Sequence, residues 1–216
     1  AVTEKAIKLS TKAAQQIKGA EGDATAVTNA EQTNSPEFKR WFGDSVVTHN
    51  GKPMNEGGKP LVVYHGTDQD FSEFSFKWFG RTDAGARGKG FYFSENPEYA
   101  SRVANSAAMS MWGEANVMPV YLKAEHPFEW NGQDNNLGMS AEDFSVWLSE
   151  NGYDAVHNKS TGEWVVLKPT QIKSSIGNNG QFNPDSPVIT EESTDMEFDE
   201  DYDEDEAATR DALEKM

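Results

Sequence analysis

Apolar residues in this chain fall in short clusters separated by polar, glycine- and proline-marked breaks, and the spacing inside each cluster predicts its element. Residues 3 to 18 predict a helix with Val2, Ala6, Leu9, Ala13 and Ile17 on one weakly apolar stripe and lysines on the other faces, which reads as a solvated connector. Residues 19 to 34 are small and polar and predict a linker. Ser35-Pro36-Glu37 has the chemistry of a helix start, a hydroxyl cap followed by proline and an acid; Phe38, Trp41 and Phe42 then share one face until Gly43 ends it.

Val46 to Thr48 predicts a short strand, Asn50-Gly51 a turn and Met54 to Gly58 a loop, after which the apolar run within Pro60 to His65 predicts a buried strand. Phe91 to Ser94 predicts the next strand. Asn96-Pro97-Glu98 opens an alanine-rich helix to about Met111. Val117 to Lys123 predicts a strand, followed by a loop marked by Pro127 and Gly132. Ser140 with Asp143 three residues on starts a helix that turns Phe144, Trp147 and Leu148 inward and ends before Gly152. Tyr153 to His157, Glu163 to Leu167 and Ile172 to Ser174 predict closing strands. Short strands interleaved with a few helices define an α+β domain over residues 35 to 190, preceded by the helix and linker of residues 1 to 34 and followed by a tail, 191 to 216.

The formal charge of −17 argues against nucleic acid as a default binding partner, but it is unevenly spread. Residues 191 to 206 hold eleven acidic side chains and no Lys or Arg, leaving about −6 for the rest, so the tail reads as solvated and the domain as only mildly acidic. The chain has no cysteine, which removes disulfides, thiolate zinc sites and cysteine nucleophiles and permits a cytoplasmic setting. No stretch approaches the roughly 20 apolar residues of a membrane span, and a soluble protein without a membrane partner is expected. Its four histidines show no metal-binding spacing, no Gly-x-Ser-x-Gly elbow is present and no Walker loop occurs, so no metal is expected.

Three pieces carry candidate chemistry. Gly162-Glu163-Trp164-Val165-Val166-Leu167 sets one carboxylate at the head of an apolar strand, where partial exclusion of water strengthens its field. Gly90-Phe91-Tyr92-Phe93-Ser94 offers an aromatic face, with glycines at 88 and 90 that would let a ligand approach the chain. Tyr64-His65-Gly66-Thr67 offers an imidazole at a strand end, an unobstructed backbone at Gly66 and a hydroxyl at Thr67 to brace the turn. A basic loop, Gly80 to Gly90, contains Arg81, Arg87 and Lys89.

In this order, His, Tyr and Glu resemble the signature of the ADP-ribosyltransferase superfamily, in the branch of diphtheria-toxin-like enzymes and poly(ADP-ribose) polymerases. Trp41 to Ser45, the Gly58 to Thr67 region, Val120-Tyr121-Leu122 and Gln171 to Ser174 add a nearer likeness to ADP-ribosyltransferase domains of phage polyvalent or head-associated proteins. The resemblance covers about residues 35 to 190 and implies two small, mainly antiparallel sheets with flanking helices around a cleft for NAD, the co-substrate. It implies a mono-ADP-ribosyltransferase, a phage- or bacterium-derived effector acting on a host protein in the bacterial cytoplasm or carried in the virion, with a nucleic-acid acceptor left open. NAD glycohydrolysis, or a non-catalytic virion module on the same scaffold, are the alternatives.

The same resemblance assigns catalysis to Glu163, His65 and Tyr92. His65 would bind ribose, Gly66 the nicotinamide carboxamide and Tyr92 the nicotinamide face, with Thr67 and Ser94 beside them. Arg81 and Arg87 would meet the pyrophosphate. The family's second ring is missing, since positions 103 and 104 are Val and Ala; Tyr99, with Ser101 for the carboxamide, stands in the same stretch. Thr161, where arginine-modifying relatives carry Gln or Glu, turns the expected acceptor away from arginine.

Overall fold

The computed structural model describes residues 29–78, 85–131, 137–178 and 180–190; the expected N-terminal helix, the acidic tail and Arg81 lie outside them. Two short helices open the described chain, α1 (Asn29–Asn34) and α2 (Pro36–Phe42). The first corrects the end of the expected linker: Gln32 is buried and donates to the Asn178 carbonyl, while the Ser35 hydroxyl donates back to Gln32, so tertiary bonds hold a weak helical sequence in place. Ser35 also caps α2 by accepting from the Phe38 amide at 3.1 Å.

Seven strands follow: β1 (Val63–Thr67), β2 (Phe91–Ser94), β3 (Asn116–Leu122), β4 (Pro127–Glu129), β5 (Ala155–Asn158), β6 (Glu163–Val166) and β7 (Ile172–Ser174). Helix α3 (Pro97–Met111) connects β2 to β3, and α4 (Ala141–Glu150) precedes β5. Both helices start at side-chain caps: Asn96 accepts from Glu98 and Tyr99, and Ser140 accepts from Asp143.

The sheet order is β4-β5-β6-β2-β1-β3-β7, antiparallel except for β4 beside β5. Strands β1 and β3 pair over five positions and β2 and β6 over four, but β1 and β2 share only Tyr64 opposite Ser94. The two expected sheets are thus the halves of one sheet, joined at a single pair and open beyond it.

Alternation along the strands sorts side chains to the two faces. Val120, Leu122, Phe91, Phe93, Trp164 and Val166 enter one core that spans both halves. On the other face Tyr121 joins Phe38, Trp41, Phe42 and Phe182, while Val156 and Val165 join Phe144 and Leu148. The opposite face therefore carries one core per half, and the seam lies between them.

Two sequence expectations differ from the structure. Val46 to Thr48 forms no strand beyond a bridge from Thr48 to Pro60: Val46 donates to Ala124 and Leu61 donates to Val47, so the segment is tied on both sides without a ladder. Pro127–Glu129, expected in a loop, is the edge strand β4, where a missing proline N–H at the first position leaves no ladder bond unmade. The C-terminal described segment is held by Lys173, fully buried with its ammonium donating to the Ser186 and Val188 carbonyls. Val188 in turn bridges to Glu73 and Ile189 donates to Ser72, which braces the loop beside the seam.

Candidate functional site

A cavity of about 800 Å³ follows the opening between β1 and β2. Its walls include Tyr64 to Thr67, Gly90 to Ser94, the α3 face bearing Tyr99 and Val103, and Glu163. The volume falls within the range of about 300–1,000 Å³ usual for small-ligand sites. His65, Tyr92 and Glu163, well separated in sequence, reach it from β1, β2 and β6.

His65 stands where the two strands part. Extending the Tyr64–Ser94 register would place Gly66 opposite Tyr92; instead His65 Nδ1 lies 2.8 Å from the Tyr92 carbonyl oxygen. A carbonyl only accepts, so the proton is on Nδ1 and Nε2 is the acceptor nitrogen of the neutral ring. The imidazole packs among Phe71, Phe74 and Phe93, with centroids 6.2, 5.0 and 5.5 Å away. Burial pushes its pKa below the usual histidine value, and the bond to Tyr92 offsets only part of that effect.

Tyr92 is fixed at its far end. Its hydroxyl accepts from the Arg87 amide at 3.0 Å and donates to the Gly88 carbonyl at 2.8 Å, while its ring packs on the Phe144 and Val165 core. The loop that receives it is itself anchored: Lys89 donates to the Ala141 carbonyl through its backbone and pairs with Glu142 through its ammonium.

Glu163 opens β6 opposite Ser94 on one side and Asn158 on the other. The preceding turn is closed by Thr161 and Gly162 donating to the Asn158 carbonyl, and the Gly162 carbonyl accepts from Glu95. The carboxylate is 14% exposed, and its Oε1 lies 2.5 Å from Arg87 Nη1. The Arg87 guanidinium also lies over the Trp130 ring, 5.4 Å from its centroid.

The remaining residues divide. Thr67 accepts from the Gln69 amide, bracing the turn as expected from its position. Ser94 lines the cavity but is buried and accepts from the Asn96 amide at the head of α3. Tyr99 lines the cavity at 46% exposure, so a ring does reach that wall, with Val103 one turn further. Ser101 is not brought to the cavity; its hydroxyl donates to the Pro97 carbonyl within α3. Arg87 meets Glu163 at the margin of the cavity and is not among the residues lining it.

The glycines answer to the protein itself. A Cβ on Gly66 would run into the Ala100 carbonyl oxygen of α3, and one on Gly90 would stand 2.6 Å from Val165 Cγ1. Gly88 holds φ at 101°, with Ser145 against the place a side chain would take. Sequence reasoning missed Trp130 beneath Arg87 and the wall of Phe71 and Phe74 around His65; clustered aromatics were the available signal. Among the described residues no group of three or more His, Asp or Glu side chains is arranged to hold a metal ion.

A split, mixed sheet with helices on its flanks and a cleft along the seam defines an α+β fold of the ADP-ribosyltransferase type. The family model "ADP-Ribosyltransferase in polyvalent proteins" matches residues 55–182, and the chain belongs to that family. Neither the curated proteins nor the solved structures contain a match to the chain. Among the described residues no helix is long and apolar enough to cross a membrane.

Proposed function

We propose that the chain is a NAD-dependent mono-ADP-ribosyltransferase whose catalytic groups are Glu163, His65 and Tyr92. The observation that supports this most is that these three side chains, delivered by separate strands, line one cavity in a member of the ADP-ribosyltransferase family. Nicotinamide stacks on Tyr92, whose hydroxyl bonds leave the ring little freedom to turn. His65 Nε2, an acceptor, takes a hydrogen bond from a ribose hydroxyl. Gly66, Thr67 and Ser94 supply the adjoining backbone and hydroxyl surface, and Tyr99 serves as the second wall.

The bond from ribose C1′ to nicotinamide breaks with its electron pair leaving on nicotinamide, which departs neutral. Positive charge then develops on the sugar, and the Glu163 carboxylate stabilises it in a largely enclosed setting. An acceptor nucleophile forms the new bond to C1′ and gives up its proton. A host protein is the proposed acceptor, and Thr161 beside the site directs the choice away from arginine. The catalytic unit is taken as residues 35 to 190, with the N-terminal segment and acidic tail as extensions.

Incubation with labelled NAD and host lysate tests the reading. Glu163→Gln keeps the fold and NAD binding and lowers transfer by about 10²–10³-fold, the usual effect of removing one electrostatic stabiliser. A Glu163→Gln protein as active as the parent sinks the assignment. Label found only in free ADP-ribose makes the enzyme a NAD glycohydrolase.

A further inference from the structure

Among the described residues, the cavity wall carries the carboxylates of Asp68, Asp70, Glu73 and Glu163 but no Lys or Arg. NAD, the ligand proposed for it, brings a pyrophosphate. Of the described cations around the cavity, Lys89 is paired with Glu142 at 2.8 Å and Arg102 lies over the exposed Tyr99 ring. Arg87 differs from both, because it is joined to a carboxylate of the wall itself.

That pairing has a chemical consequence for the proposed reaction. Glu163 works there by setting negative charge beside a carbon that turns cationic. A guanidinium on the same carboxylate cancels much of that field and adds a like charge near the developing cation. It also occupies an oxygen that a ribose hydroxyl would use. The pair is largely shielded from water, with side chains 24% and 14% exposed, so solvent does not weaken it as at an open surface. The backbone of Arg87 is meanwhile held by Tyr92, while Trp130 gives the guanidinium a face on which to pivot. The arginine can therefore change partner without the loop changing place.

We propose that Arg87 is a specificity-determining residue: it caps Glu163 until a substrate offers its own anion, so the site admits a dinucleotide and resists a nicotinamide riboside that lacks phosphate. This rests on the NAD reading above. Binding exchanges one ion pair, Arg87 with Glu163, for another, Arg87 with the ligand's pyrophosphate. A nucleoside has nothing to exchange and must break the pair unaided, which lowers its apparent affinity.

Calorimetric binding of carbocyclic analogues of NAD and of nicotinamide riboside, neither of them cleavable, tests the cap. Arg87→Met binds the riboside analogue about tenfold tighter than the parent and the NAD analogue about tenfold more weakly, within the usual span of coupling between sites. Arg87→Lys, which keeps the charge, retains the parent's preference. A second measurement uses the unaltered protein: inorganic pyrophosphate tightens its binding of the riboside analogue by a similar factor, by drawing Arg87 away. A parent that binds the NAD analogue but gains nothing for the riboside from pyrophosphate overturns the cap and leaves the NAD site standing. Weaker binding of both analogues by folded Arg87→Met overturns it as well. A parent that binds neither analogue removes the NAD reading and the cap together.

Discussion

His65 Nδ1 donates to the Tyr92 carbonyl at the point where β1 and β2 separate, so a side chain occupies the place of the next main-chain ladder bond. The seam opens there, and the imidazole's other nitrogen is left as an acceptor in a wall otherwise built of phenylalanine rings.

This makes the fold sensitive to mild acid. In the folded protein His65 has a pKa below the usual value, so as pH falls below about 6.5 the unfolded chain takes up its proton first. The unfolded state then binds more protons than the folded one, and stability declines as pH falls toward the folded pKa. His157 acts in the same direction: burial lowers its pKa against the opposing pull of Glu129 and Glu95, with Lys159 adding to the lowering. Denaturant titrations should show stability rising from pH 5 to pH 7, with a shallower slope in His65→Gln. A slope unchanged by the substitution would place the titration elsewhere.

Gly66 sits beneath α3 with no room for a methyl group. Gly66→Ala should force α3 away from β1 and cost about 1–3 kcal/mol, the usual effect of overpacking. For a domain of this size each kcal/mol corresponds to roughly 2–4 °C in melting temperature. A mutant that melts with the parent would show that α3 is not seated on β1 as described.

Val103 lines the cavity one turn of α3 beyond Tyr99, in the stretch where the sequence resemblance implies a second aromatic ring. Val103→Tyr should add a stacking face for nicotinamide. Aromatic pairs contribute about 0.5–1.5 kcal/mol beyond burial, so NAD should bind about 2–12-fold tighter. Fluorescence titration measures it, and unchanged or weaker affinity would mean that nicotinamide does not lie against this wall.

Elements fixed by local chemistry were legible along the chain. Ser35, Asn96 and Ser140 each cap the helix expected after them because a cap needs only its own next three residues. The three strand motifs that hold His65, Tyr92 and Glu163 were legible as well, and the structure brings those side chains to one cavity; their catalytic roles are the proposal made above. Arg87 shows the limit: its sequence reads as a basic loop, but its partner lies 76 positions away and is reached only once β2 and β6 pair.

The sequence by itself determined helices α2, α3 and α4, most of the strands and the motifs that hold the three candidate side chains, because periodicity, caps and motifs act over a few residues. Tertiary structure decided where the sheet splits, that β4 closes its edge, that Ser101 turns away while Tyr99 faces the cavity, and that Arg87 covers Glu163. Those outcomes depend on strand order, packing and competition for buried hydrogen-bond partners, which exist only when distant segments meet.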